Sequence, residues 1–480
     1  MQVIEAYKTT HEIRNVPARL IESAQSIGLL GLEQEAIKPR FIDIQQRLVT
    51  GLRRSGEPTI ADGGMAADEG FASFRTGIPL ISNEAWGRVP NGTESYVASV
   101  GGTNTKYYKT TKESETDIRL ERIGELKYEQ DAKKQLTFAE FIDRTVKPIA
   151  EAYNNASEKP DRLHFGISLA FAHKNIVTEE GLDAEFSPLD EFGTFPKGWK
   201  ITDWAKIPEK ERGFIQAIKR GFQKYDIDPA IVNAVILNDT PGTALDSSAA
   251  RKATEDGKKI LAIGAVGGTG TNFAGDQEGL INFELGRWPL PKDTEGKADN
   301  VTERVLDNML QDSLHFDPAA KRGVPELENE TGGKYAPERL RAGIQILGEQ
   351  MPEILPDANE LADWIKVASE QNETLISDLA SGKLYISDLV QRLAQGVLTR
   401  AGQHFGLASA AVADVLYGDR QKEDEAALLV EGSFVNRATG VKDEAEKTAF
   451  SLGQPISIYE ANSIKGVGAL AMSWEYQLAA

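Results

Sequence analysis

The sequence predicts a mixed α/β protein built as two domains facing a cleft. Three observations carry this expectation. A chain of 480 residues exceeds what one hydrophobic core usually serves. A β-prone run ending in a glycine-rich turn occurs twice, at Gly101-Gly102-Thr103-Asn104 and at Gly268-Thr269-Gly270-Thr271-Asn272. Each turn is followed by stretches whose apolar residues recur at helical spacing.

Taken in order, residues 1 to about 75 read as helical and polar, with Phe41, Ile42, Ile44, Leu48 and Leu52 at helix-like spacing. Tyr96 to Val100 and Thr105 to Thr111 form a hairpin about the first turn, and Arg119 to Tyr128 reads as a third strand. Thr137 and Glu140 make a capping box opening a helix whose inner face carries Phe138, Phe141, Ile142, Val146, Ile149 and Tyr153, with a kink expected at Pro148. Leu163 to Ala170 returns to strand. Phe214, Ile215, Ile218, Phe222 and Tyr225 mark another amphipathic helix, leading to a strand from Ile231 to Leu237. Ile260 to Val266 is a strand ending in the second turn, with Leu280 to Leu285 as its partner. A long helical stretch is expected from about Glu360 to Tyr417, closing strands at Leu428 to Glu431 and Ile456 to Tyr459, and a last helix from Val467 to Leu478.

Composition excludes several function classes. Lys plus Arg total 54 against 73 Asp plus Glu, a formal net charge of -19. With no clustered basic stripe, that balance argues against nucleic-acid and anionic-lipid partners. An anionic ligand would have to be held by local backbone N–H groups and a metal ion. The chain has no cysteine, which removes disulfides, thiolate nucleophiles and Cys-ligated metals. No apolar run reaches the length of a membrane span, and the first residues lack the pattern of a secretory leader, so a cytoplasmic protein is expected. The five histidines, His11, His164, His173, His315 and His404, show no metal-ligand spacing.

The two glycine-threonine turns admit two readings. Each can be a plain hairpin turn, or consecutive backbone N–H groups and threonine hydroxyls can cradle a phosphate. A P-loop sequence is absent, and Phe273 stands where a dinucleotide fingerprint needs a third glycine. Asn238-Asp239-Thr240 ends the Ile231 strand and precedes Pro241-Gly242-Thr243. Asp239 there is either a helix cap or a carboxylate placed to take a proton from a substrate hydroxyl.

The ordered set of motifs resembles the hexokinase family. The family's Asp-x-Gly-Gly-Thr-Asn is similar to Ser99-Val100-Gly101-Gly102-Thr103-Asn104, and Phe74 to Pro79 is similar to the segment leading into that strand. Its Thr-Lys-Gly-Phe sugar segment resembles Pro196-Lys197-Gly198-Trp199, and its Asn-Asp-Thr-x-Gly-Thr stands at 238 to 243. Gly-Thr-Gly-Thr-Asn stands at 268 to 272, followed by Asn-x-Glu-x-Gly at 282 to 286. Leu327-Glu328 with Gly333-Lys334-Tyr335, then Thr399-Arg400-Ala401, Glu431-Gly432-Ser433 and Lys465 to Leu470, resemble the remaining motifs. The resemblance runs from about residue 70 to the end, and more weakly before that.

It implies an ATP-dependent hexose kinase acting on the primary hydroxyl of glucose or a related hexose, with ATP and Mg2+ as cofactors. Asp239 would be the catalytic base. Lys197, Asn238, Asn272, Glu284 and Glu328 would bind the sugar. Gly101, Gly102, Thr103, Asn104 and Lys106 would hold phosphate, as would Gly268, Thr269, Gly270 and Thr271, while Gly432 and Ser433 lie against the adenosine. No side chain is assigned as a direct metal ligand. The implied fold is a pair of ribonuclease-H-like, actin/hexokinase-type domains. Residues 1–76 would form a helical part of the large domain, 77–237 the small domain and 238–455 the large domain. Residues 456–480 would hold a helix near the hinge, packing on the small domain. Partners would be the hexose and ATP, with a homodimer allowed.

Three positions depart from the family's pattern. Ser99 stands where the family has a metal-associated aspartate, and Ala170 and Pro196 replace a serine and a threonine that contact sugar; Thr194 lies near enough to substitute for one. These departures keep open a second function: a hexokinase-like sugar-binding sensor with little or no turnover. A structural protein of the actin-like superfamily accounts for the turns but not for Lys197, Glu284 and Glu328.

Overall fold

The computed structural model describes residues 17–53, 74–76, 78, 80–102, 104–128, 135–170, 173–178, 180–186, 193–195, 199–257, 259–268, 270–276, 279–283, 285, 299–311, 326–418 and 426–478. Two large sheets organise them.

Strand β1 (Phe74–Arg75) belongs to the second sheet and is followed by a short helix, Asn83–Arg88. Then come β2 (Glu94–Val100), β3 (Asn104–Lys112) and β4 (Ile118–Lys127), an antiparallel meander about the first glycine turn. After β5 (Gln135–Leu136), Thr137 caps the helix Phe138–Asn154 through a complete capping box with Glu140, and the helix runs through Pro148 without ending there. β6 (Leu163–Leu169), β7 (Lys174–Thr178), β8 (Gly181–Glu185), β9 (Thr194–Phe195), β10 (Trp199–Ile201) and β11 (Val232–Asn238) follow. The first sheet has the order β4-β3-β2-β6-β11-β8-β7, and β5, β10 and β9 make a small three-stranded sheet beside it.

Every residue of β11 is buried, because both faces of its sheet are covered. Tyr96, Ala98, Phe165, Ile167, Ala234 and Ile236 face the helices Phe138–Asn154 and Phe214–Gln223. Their strand neighbours Val97, Val235 and Leu237 face Val467, Leu470, Ala471 and Trp474 of the C-terminal helix, Ser463–Leu478. The period of two along each strand therefore divides one sheet between two cores. Gly166 lies on the second face, where a Cβ would stand 2.5 Å from Val467 Cγ1.

The second sheet contains β12 (Lys259–Gly267), β13 (Thr271–Asp276), β14 (Leu280–Asn282), β15 (Ala426–Glu431) and β16 (Ile456–Glu460), in the order β1-β14-β13-β12-β15-β16. Ile263, Ala265, Phe273, Leu428 and Val430 face a helical layer that includes Ala336–Gln350 and Asp388–Tyr417.

Four sequence expectations change. The stretch from Glu360 to Tyr417 is three helices, Ala358–Gln371, Leu375–Ala380 and Asp388–Tyr417. They are separated by a turn at Asn372 and by a loop in which Gly382 takes φ +73° before Ser387 caps the last helix. Ile42, on the helix Gln34–Arg53, is 40% exposed while Ile44 and Leu48 are buried, so the apolar stripe is narrower than its composition suggests. The strand expected to reach Leu285 ends at Asn282, and its partner is β13, which comes between it and β12. Phe74 and Arg75 pair with Asn282 and Ile281 at the edge of the second sheet, rather than continuing into β2.

Candidate active site

β11 is a central parallel strand, paired with β6 along its length, and it ends at Asn238. Asn238 is the cap of the helix Asp239–Ala244: its Oδ1 accepts the Thr240 N–H at 3.1 Å, and its Nδ2 donates to the Leu169 carbonyl at 3.1 Å. Capping therefore falls to Asn238, and Asp239 occupies the first helical position. The half-buried Asp239 has Oδ1 held by the Thr240 N–H at 2.8 Å and its hydroxyl at 3.3 Å, which sets the plane of the carboxylate. The helix then packs on β12 and β13, where a Cβ at Gly264 would stand 2.5 Å from the Ala244 nitrogen. Asp239 thus stands where the chain crosses from one sheet to the other.

The second glycine turn joins β12 to β13. Gly432, at φ +124°, packs against it backbone to backbone: a Cβ there would be 2.5 Å from the Gly267 carbonyl carbon and 2.7 Å from the Gly268 nitrogen. The Gly268 carbonyl accepts the Gly333 N–H at 2.7 Å, and a Cβ at Gly270 would overlap the Glu328 carboxylate. Gly268, Gly270, Gly333, Gly432 and Glu328 therefore pack together, although more than 160 positions separate Gly268 from Gly432 in the chain.

At the first turn, Gly101 N–H bonds the Asn104 carbonyl at 2.9 Å and the Trp199 indole donates to the Gly101 carbonyl at 3.2 Å. Asn104 donates to Glu125 at 2.7 Å. Ser99, Lys106 and Glu125 are direct cross-strand partners and share one face of the sheet. Asn272 has much of its carboxamide engaged within the fold: Oδ1 accepts from the N–H groups of Phe273 (2.7 Å) and Leu285 (3.0 Å), and Nδ2 donates to Asn282 Oδ1 at 2.7 Å. It thereby ties the start of β13 to Asn282 and Leu285. Lys197, Glu284, Thr103 and Thr269 lie outside the described residues, as does Pro196. Thr194, in β9, pairs with Lys200 of β10.

Sequence reasoning missed a second carboxylate in this region as a group of interest in its own right. Glu431 Oε2 accepts the Ser463 N–H at 2.7 Å and the Thr243 hydroxyl at 3.2 Å, and that hydroxyl also lies 3.0 Å from the Asp239 carbonyl. Burial first, and then the negative Asp239, push the Glu431 carboxyl above the usual range, against the lowering effect of its bonds to Ser463 and Thr243. Next to it, Asp246 caps the helix Ser247–Glu255 and accepts the Asn462 N–H at 2.9 Å. The two crossings between sheets, Asp239–Ala244 and the start of Ser463–Leu478, touch through Gly242 and Gly466, where a Cβ at 466 would overlap the Gly242 carbonyl oxygen. A strand-end Glu before a glycine is the one local signal that could have drawn attention to Glu431.

Two sheets joined by crossing helices, with glycine turns meeting at the ends of β12 and β15, make a mixed α/β fold. This is the hexokinase fold. The hexokinase from Schistosoma mansoni complexed with glucose superposes with a TM-score of 0.65 at 16% identity, over 95% of this chain and 98% of that one. A second hexokinase crystal structure gives a TM-score of 0.68 at 14% identity, over 95% of this chain and 100% of the other. No protein-family model matches the sequence, and no curated protein matches it. No described helix is long and apolar enough to cross a membrane, and the described residues contain no group of three or more His, Asp or Glu side chains able to hold a metal ion.

Proposed function

We propose that this chain is an ATP-dependent hexose kinase that phosphorylates the primary hydroxyl of glucose or a related hexose. The observation that carries the reading is the position of Asp239. It is a half-buried carboxylate at the end of β11, oriented by Thr240, at the junction of two sheets arranged as in hexokinases. In this reading residues 77–237 move as the smaller lobe against 238–455, and the protein works in the cytoplasm.

Asp239 takes the proton of the sugar hydroxyl as that oxygen bonds the terminal phosphorus of ATP and the bond to the bridging oxygen breaks, releasing ADP. Lys197, Glu284 and Glu328 fix the remaining hydroxyls, while Asn238 and Asn272, whose amides are already bonded within the fold, shape the sugar side of the site. The glycine turn after β12 would offer backbone N–H groups to the phosphates, with Gly432 bracing it from behind by packing on Gly267 and Gly268. Around the first turn, the hydroxyl of Ser99 and an Asn104 already bonded to Glu125 offer no free carboxylate to a metal. Magnesium would therefore be held chiefly by the phosphates and water, and it would neutralise their charge when bound.

Ser99 favours a second reading, a hexokinase-like sugar sensor with little turnover. Incubation with Mg-ATP and glucose, fructose, mannose or N-acetylglucosamine separates the two. Sugar-dependent ADP release supports the kinase. Thermal stabilisation by a sugar without ADP supports the sensor, and neither response removes both.

A further inference from the structure

Six residues, Glu326–Thr331, form a helix of less than two turns that stands between the core and the glycine turn after β12. A helix that short does not hold its own shape or direction. Leu327 anchors it in the core, but Asn329, fully buried beside it, has neither amide atom hydrogen-bonded. Its orientation must come from elsewhere.

Glu328 and Glu330, two positions apart, point to opposite sides of the helix, about 200° around its axis. Glu328 faces Gly270. Glu330 is fully buried on the other side and is gripped by two guanidiniums: Arg400 Nε and Nη2 at 2.9 and 3.1 Å from its two oxygens, and Arg339 Nη1 at 2.9 Å. The Thr302 hydroxyl adds a bond at 3.3 Å. Both cations are tied in turn, Arg400 to Asp299 at 2.9 Å and Arg339 to the Gly28 carbonyl at 3.1 Å. Burial works against ionisation of Glu330, yet Arg339 and Arg400 outweigh it and hold the carboxyl well below the usual range. At the end of the same helix the Thr331 hydroxyl donates to the Leu327 carbonyl at 2.6 Å and accepts from the Thr271 hydroxyl at 2.7 Å, and two residues on Gly333 N–H bonds Gly268.

We infer that Glu330, locked by Arg339 and Arg400, is a positioning residue: it sets the rotation of the helix Glu326–Thr331, so that Glu328 meets the turn at Gly270 while Thr331 steadies it at Thr271. A buried ion pair is a poor source of stability compared with apolar packing of the same volume, but a bidentate guanidinium fork fixes direction, which apolar contact does not. One buried carboxylate thereby governs both the group proposed for the sugar and the turn proposed for phosphate. The sugar side of this inference rests on the kinase reading; the mechanical side does not.

The test uses the full chain with Glu330→Gln, which keeps the shape and removes the charge, and Arg400→Lys, which keeps the charge and removes the fork. Amide hydrogen exchange is followed by peptide, together with hexose and ATP kinetics. In both variants, exchange in peptides covering 326–333 and 271–276 should quicken by about tenfold or more, while peptides from β15 and β16 keep wild-type rates. Hexose KM should rise by about tenfold or more, with a smaller change in ATP KM. Glu330→Asp should fall between wild type and Glu330→Gln. Wild-type exchange at 326–333, or one uniform increase over the whole chain, overturns the inference. Should Glu330→Gln not fold, Arg400→Lys decides alone by the same criteria. Because exchange needs no turnover, absence of kinase activity in the wild type defeats the kinase reading only. Intact hexose KM alongside altered exchange defeats the link to Glu328.

Discussion

Gly270→Ala isolates the contact between the second glycine turn and Glu328. Gly270 is not among the glycines with positive φ, so alanine is compatible with its backbone. The added Cβ would overlap a Glu328 carboxylate oxygen and stand 3.0 Å from its Cδ, against a comfortable separation of about 3.5–4.0 Å. The obstructing atoms are the tip of a flexible side chain, so the carboxylate backs away by about 1 Å and the fold persists. Loss of backbone freedom in the unfolded chain offsets part of the strain, by about 0.4–1 kcal/mol, so stability should stay within about 1 kcal/mol of wild type. A sugar-holding carboxylate displaced by about 1 Å should cost on the order of 10²-fold in hexose kcat/KM. A charge-assisted hydrogen bond worth about 1.5–3 kcal/mol corresponds to a similar range of roughly 10- to 150-fold. The assay is ADP release against hexose concentration, with denaturant unfolding in parallel. The effect must run through Glu328, so Gly270→Ala combined with Glu328→Gln should be little worse than Glu328→Gln alone. Unchanged kcat/KM at unchanged stability, or additive losses in the double variant, would refute the reasoning.

Asp239→Ala should lower kcat by about 10²–10⁴-fold while a hexose still raises the melting temperature; retained turnover removes the base assignment. Ser99→Asp should increase turnover at fixed magnesium, and an unchanged rate shows that position 99 does not act on the metal. Gly466→Ala places a Cβ on the Gly242 carbonyl, backbone against backbone, and should destabilise the chain by about 1–3 kcal/mol or more in denaturant unfolding, unlike Gly270→Ala. Glu431 has its carboxyl raised by burial and by Asp239, so the native state favours the protonated form. Its contribution to stability is present at low pH and is lost as pH rises above the ordinary value of 4.5. Glu431→Gln lacks that loss, so its melting temperature relative to wild type should climb with pH; a difference that shrinks as pH rises contradicts the assignment.

Much of this protein was legible one segment at a time. The capping box at Thr137, the hairpin at 101–104, the strand leading to Asn238 and the helix Phe214–Gln223 all follow from period, turn chemistry and caps, which act over a few residues. The candidate motifs were recognisable only as an ordered set resembling the hexokinase family, since one glycine turn by itself reads equally well as a plain hairpin. The division between Asn238 as cap and Asp239 as oriented carboxylate was not, since neighbouring polar residues at a strand end look alike until the helix they start is placed.

What only the tertiary structure decided are the meetings of distant segments. Gly242 beneath Gly466, Glu431 against Thr243, and Gly432 against Gly268 join residues more than 150 positions apart. Glu330 makes the point most clearly. In the run Glu-Asn-Glu-Thr it has the composition of a solvated surface, and nothing local announces that Arg339 and Arg400 come from two other helices to enclose it. Local preference selects helix, strand or turn because those energies involve near neighbours. Whether a charge is solvated or locked in a core depends on what packs over it, and that is settled only when the sheets and helices close on one another.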